Sequence, residues 1–204
     1  MQRHQAIGAD TAPHPGYPAA AHVREFHDAG SKTTGPGSSP MKFSLIDSIL
    51  ELERGERIVA AKAVSLSEDY LADHFPAFPI LPGVFMLQAL VEAASWLVRD
   101  ALDFAPGVIL LQNARNVTYK SLVKPGSLLR LDVHCRRLAP GESDFEGVGH
   151  CGSTEAVKGR FGLTHLGPGA GGGPLVNLND RTATEAKARF TLLIANGRGG
   201  AGRT

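Results

Sequence analysis

Asp73-His74-Phe75-Pro76-Ala77-Phe78-Pro79-Ile80-Leu81-Pro82-Gly83-Val84 is the stretch whose reading decides the fold. It runs directly into an unbroken segment, Val84 to Leu102, that holds no glycine or proline and is followed by Pro106-Gly107. Pro82-Gly83 is a helix-entry signal, so the segment reads as a helix. Its apolar residues (Val84, Leu87, Leu90, Val91, Ala94, Leu97, Val98) go nearly all the way round, which marks a buried helix. The run is too short to span a bilayer and carries Glu92 in its middle. One polar stripe interrupts it: Gln88, Glu92, Ser95 and Arg99 follow spacings of four, three and four and share a face.

Working outward, the segments after the helix read as strands. Val108–Leu111 begins one, Asn116–Tyr119 continues it after a bend, and 128–138 alternates. Leu129, Leu131, Val133 and Cys135 face one way there, Arg130, Asp132, His134 and Arg136 the other. Asp144–Cys151 reads as a strand weakened by Gly147 and Gly149, and Glu185–Ala195 as a final alternating strand. Before the loop, Ser44–Leu52 reads as a short amphipathic helix, 53–56 as a turn at Gly55 and Arg57–Val64 as a strand. The predicted fold class is α+β, one long buried helix against an antiparallel sheet of five or six strands. One sheet covers one side of such a helix, which predicts that a second copy of the chain covers the other.

Composition narrows the function. The chain has 204 residues, 21 basic and 20 acidic side chains and a net charge of +1, without the basic excess of a nucleic-acid binder. Two cysteines, Cys135 and Cys151, exclude a disulfide scaffold and fit a reducing, cytoplasmic setting. Fourteen of the 24 glycines lie outside the patterned body, in 1–40, 167–173 and 197–202. Residues 1–40 therefore read as a disordered extension, 41–196 as one domain with a flexible insertion near 153–182, and 197–204 as a tail. Met41 opens the first patterned segment and is expected to be the true start. His4, His14, His22 and His27 match no compact ligand spacing, so no metal or other cofactor is expected.

The loop carries the chemistry. Its prolines fix the path of the chain and hold His74 relative to the helix. The first N–H groups of a helix lack internal partners and suit a carbonyl oxygen gaining negative charge. A rigid histidine, such a helix start, and a buried amide and carboxylate suit proton transfer beside a carbonyl. A lone histidine among aromatics is more often simply packed, so this reading rests on the combination.

The loop resembles that of the β-hydroxyacyl-(acyl-carrier-protein) dehydratases of the hotdog-fold superfamily. His74, Phe75, Pro76, Pro79, Pro82, Gly83 and Val84 match every fixed position of its His-Phe-Pro, two residues, Pro, two residues, Pro-Gly-Val pattern. The likeness covers roughly Leu45 to Cys151 and the segment Glu185–Ala195. It implies a curved antiparallel sheet wrapped round one helix, a homodimer with acyl tunnels at its interface, and loss of water from 3-hydroxyacyl thioesters in fatty-acid biosynthesis or a related lipid pathway. It implies His74 as base, and Gly83 with Val84, Phe75, Phe78 and Phe85 as the substrate-binding set. The partner implied is an acyl carrier protein or coenzyme A thioester, docked by Arg115, Lys120, Lys124, Arg136 and Arg137.

The sequence departs from the pattern at one point. The resemblance implies a helix carboxylate fourteen residues after the histidine, supplied from the other subunit. That position is Gln88, while Glu92 stands where glutamine is frequent. Glu92 is expected to take over the acid role. The exchange leaves open a non-catalytic acyl-thioester-binding subunit, or another hotdog enzyme such as a thioesterase.

Overall fold

The structure, a computed structural model, describes residues 44–166 and 175–200. Six strands, β1 (Ser48–Glu53), β2 (Arg57–Ala63), β3 (Val108–Tyr119), β4 (Leu128–Ala139), β5 (Glu142–Cys151) and β6 (Thr154–Leu166), form one antiparallel sheet in the order β1-β2-β4-β5-β6-β3. Three helices accompany them: α1 (Asp69–Asp73), α2 (Gly83–Ala101) and α3 (Leu175–Gly200). The expected extension 1–40 and its Met41 start lie outside the described residues.

α2 is the buried helix. It crosses the inner face of the sheet and touches β2 to β6. Leu129, Leu131 and Val133 of β4 are fully buried beneath it, while the alternate residues Arg130 and His134 are exposed. The period of two in β4 is thus the pleat, with one dry and one wet face. At Gly147 in β5 a side chain would meet Leu90 of α2 at 3.0 Å, so glycine there sets how closely the helix lies on the sheet. The wet face carries an ion-pair ladder: Arg57 bridges Glu51 (2.7 Å) and Asp132 (2.8 Å), and Arg130 joins Glu51 at 2.7 Å.

Three expectations need correction. Ser44–Leu52 is not a helix; its second half is β1, paired with β2 across the Gly55 turn. A short apolar run fits both periods, and the strand wins because Ile49 and Leu52 find partners in Ala60 and Ile58. Much of the supposed insertion is β6, which pairs with β5 on one side and β3 on the other. Gly159 and Gly162 fit within this strand because Val117 and Asn113 of the neighbouring strand press against them. The supposed last strand, Glu185–Ala195, lies within α3, which also takes in residues 197–200 of the supposed tail. Its even-numbered apolar positions include Ala186, Phe190 and Ile194, which are four apart. With buried Leu193 they form the helical stripe that packs on the core, whereas Leu192 is left 63% exposed.

Candidate active site

His74 follows α1 directly, in an extended conformation at that helix's end. Its Nδ1 lies 3.0 Å from the carbonyl oxygen of Ile80. A carbonyl only accepts, so Nδ1 carries the proton and Nε2 presents its lone pair. The prolines put Ile80 where this bond can form. Phe78 N–H donates to Phe75 O (2.8 Å) to close the loop, and Leu81 N–H donates to Val123 O (2.8 Å) to pin it to the connection between β3 and β4. Phe75, beside the histidine, has φ 55°. An aromatic residue in that left-handed region is strained, and such strain concentrates at functional sites. Its ring meets the His74 ring edge to face, 4.6 Å between centroids.

α2 begins at Gly83, three residues after Ile80. Phe85 and Met86 N–H both donate to Pro82 O, while Gly83 and Val84 precede the first internal acceptor. A side chain at Gly83 would sit 3.4 Å from the Tyr119 ring, so the glycine keeps that approach open. Burial pushes the Tyr119 hydroxyl above its ordinary pKa, which keeps it protonated as a donor. Phe75, Phe78 and Val84 are exposed, Phe85 stacks edge-on against Tyr70 at 4.9 Å, and Lys124 lies 4.7 Å over Phe78.

The polar stripe separates into two roles. Gln88 is exposed on α2. Glu92 is half-buried and occupied: its Oε2 accepts the Leu45 N–H at 2.7 Å, its Oε1 accepts the Ser44 hydroxyl at 3.1 Å, and Arg189 of α3 stands 3.7 Å away. It therefore ties the segment just before β1 and α3 to the central helix. Sequence reasoning missed the Ile80 carbonyl, Tyr119 and the Ser44/Leu45/Arg189 clamp. Tyr119 and the clamp come from segments distant in sequence, and the Ile80 carbonyl is a backbone group, which no residue identity announces.

Of the expected basic dock, Lys120 pairs with Glu155 (2.9 Å) and Arg137 with Glu142 and Asp144. Arg115 and Arg136 line a depression of about 360 Å³ together with Arg160, and Lys124 stands beside the histidine loop.

A sheet of this order wrapped on one helix, with a tautomer-fixed histidine at the helix entry, defines a hotdog protein of the acyl-thioester-dehydrating class. A solved structure, the dehydratase heterocomplex ApeI:P from Xenorhabdus doucetiae, shares the fold at TM-score 0.52 and 18% identity, over 60% of this chain and 83% of that one. A FabA-like domain model matches residues 38–151. The chain is 40% identical over 119 residues to the 3-hydroxyacyl-(acyl-carrier-protein) dehydratase FabZ of Acidovorax sp. (strain JS42), covering 57% of this chain and 82% of that protein. It is 41% identical, with the same coverage, to the FabZ of Paracidovorax citrulli. The chain belongs to the FabZ/FabA-like family of hotdog dehydratases.

Proposed function

We propose that the protein removes water from 3-hydroxyacyl thioesters carried on acyl carrier protein, giving trans-2-enoyl thioesters in fatty-acid biosynthesis or a related lipid pathway. The observation that carries this reading is the His74 Nδ1···Ile80 O bond, which leaves Nε2 as a fixed base beside the start of α2. Nε2 takes the α-proton, and the electron pair moves onto the thioester oxygen, held by the Gly83 N–H. As the double bond forms between the α and β carbons, the β-hydroxyl departs. The proton held by His74 passes to that oxygen, so water leaves and the histidine returns neutral.

Gln88 of the partner subunit orients the β-hydroxyl in this scheme. An amide is no proton donor for a departing hydroxide, so the one histidine serves as base and then acid. Glu92, with its oxygens on Leu45 and Ser44, acts by positioning. Val84, Phe75, Phe78 and Phe85 line the entrance, and Lys124 with Arg115 and Arg136 meets the acidic carrier. Two free thiols fit the cytoplasm. Among the described residues no helix is long and apolar enough to cross a membrane.

A second reading is favoured by one observation, an amide where the family has a carboxylate: a non-catalytic acyl-binding subunit. Incubation with 3-hydroxyacyl and enoyl carrier-protein thioesters separates them. Interconversion supports dehydration, binding without turnover supports the second reading, and free thiol indicates a thioesterase.

A further inference from the structure

The polar stripe of α2 runs beyond Gln88 into a cavity of about 300 Å³ walled by Gln88, Glu92, Ser95, Trp96, Arg99 and Arg189, with Ile109 and Ala186 completing the wall. A tunnel for a plain alkyl chain would be lined by apolar side chains. Here the polar groups are specific in their state. Glu92 and Arg189 face one another, and the Ser95 hydroxyl donates to Val91 O at 2.8 Å. Two donors are left over. The Trp96 Nε1–H is buried and meets no acceptor among the described residues. The Arg99 guanidinium makes one long bond to Ser95 O (3.3 Å), stacks 5.3 Å over Trp96, and pairs with no carboxylate among the described residues. Burial lowers its pKa, against a smaller opposing influence from Glu92. A dehydrated, forked cation beside an unused N–H is a receptor for a carboxylate.

The position fits as well. Because Arg99 reaches back to Ser95 O, its head lies about seven residues, or roughly 10 Å, along the helix from Gln88. We propose that this cavity receives the far end of the acyl chain and is built for a medium-length chain that ends in a carboxylate, with Arg99 and Trp96 as specificity-determining residues. The assignment rests on the reading above, in which Gln88 meets the β-carbon.

Trp96 is the one tryptophan of the chain, so its emission reports the cavity directly. The probes are two eight-carbon pantetheine thioesters without a 3-hydroxyl, one ending in methyl and one in carboxylate, titrated into the full chain. The carboxylate-ended probe is expected to bind about 10- to 100-fold tighter, the range of a hydrogen bond to a charged group. Arg99→Met should erase the difference and Arg99→Lys keep part of it. Equal affinities, a preference for the methyl end, no emission change with either probe, or an Arg99→Met ratio equal to wild type would each overturn the proposal. If Arg99→Met does not fold, the wild-type ratio and Arg99→Lys still decide. The matching 3-hydroxyacyl thioesters are assayed in parallel. Discrimination by Trp96 without dehydration of either would sink the reaction and leave the cavity assignment standing. Dehydration favouring the methyl-ended chain would do the reverse.

Discussion

His74 and Glu92 show how one residue's partner decides its work. His74 donates Nδ1–H to a carbonyl, so its other nitrogen is free for substrate. His74→Ala should lower kcat by about 10²- to 10⁴-fold with the fold intact by circular dichroism. Gln88→Ala, which removes one neutral hydrogen bond to the β-hydroxyl, should cost about tenfold in kcat. Glu92→Ala strips the acceptor from the half-buried Leu45 N–H and leaves the Ser44 hydroxyl only its bond to Ile46 O (2.8 Å). It should lower unfolding free energy by about 1–3 kcal/mol in urea, with Glu92→Gln recovering part of the loss. If instead Glu92→Gln is as stable as wild type and loses activity more steeply than Gln88→Ala, Glu92 is the acid and its positioning role is refuted. The sequence placed both residues on one helix face. It was silent on which was occupied, because the clamp comes from Leu45 and from Arg189.

Among the elements, α2 and its loop were legible because proline, glycine and an all-round apolar run signal at short range. α3 was misread because positions four apart, such as Ala186, Phe190 and Ile194, share a face in a helix and in a strand alike, and only packing against Trp96 and β1 distinguishes them. That packing gives a matched test. A side chain at Gly197 would run into the backbone carbonyl of Ile49, whereas one at Gly199 meets nothing within 4 Å. Gly197→Ala should lower Tm by several degrees, as α3 must lift off β1. Gly199→Ala should leave Tm unchanged or raise it, since alanine favours the helix by up to about 1 kcal/mol. Equal effects in the two variants would contradict the placement of α3.

At the scale of the whole molecule, β3 is an edge strand twelve residues long with Leu110 52% and Leu111 40% exposed. Long apolar edges are templates for pairing. A second copy joined edge to edge would cover this one, and light scattering should then give twice the 21.5 kDa of one chain. Leu110→Lys with Leu111→Lys should give the single-chain mass and lose activity together. The outer ladder sets the acid limit: Arg57 holds the Asp132 carboxyl below its ordinary value. Its contribution to stability is therefore full above the unfolded carboxylate value of about 4 and fades as pH falls below it. Arg57→Leu should flatten that part of the stability profile, and an unchanged acid limb would refute the ladder's role.

The central claim is that His74 at the entry of α2 performs a dehydration. The most direct measurement is mass spectrometry of 3-hydroxyacyl carrier protein incubated with the wild-type chain and with His74→Ala. The account predicts loss of one water to a trans-2-enoyl thioester with wild type and at least about 10²-fold slower loss with the variant; an intact substrate with both, or water loss at an undiminished rate in His74→Ala, would contradict it.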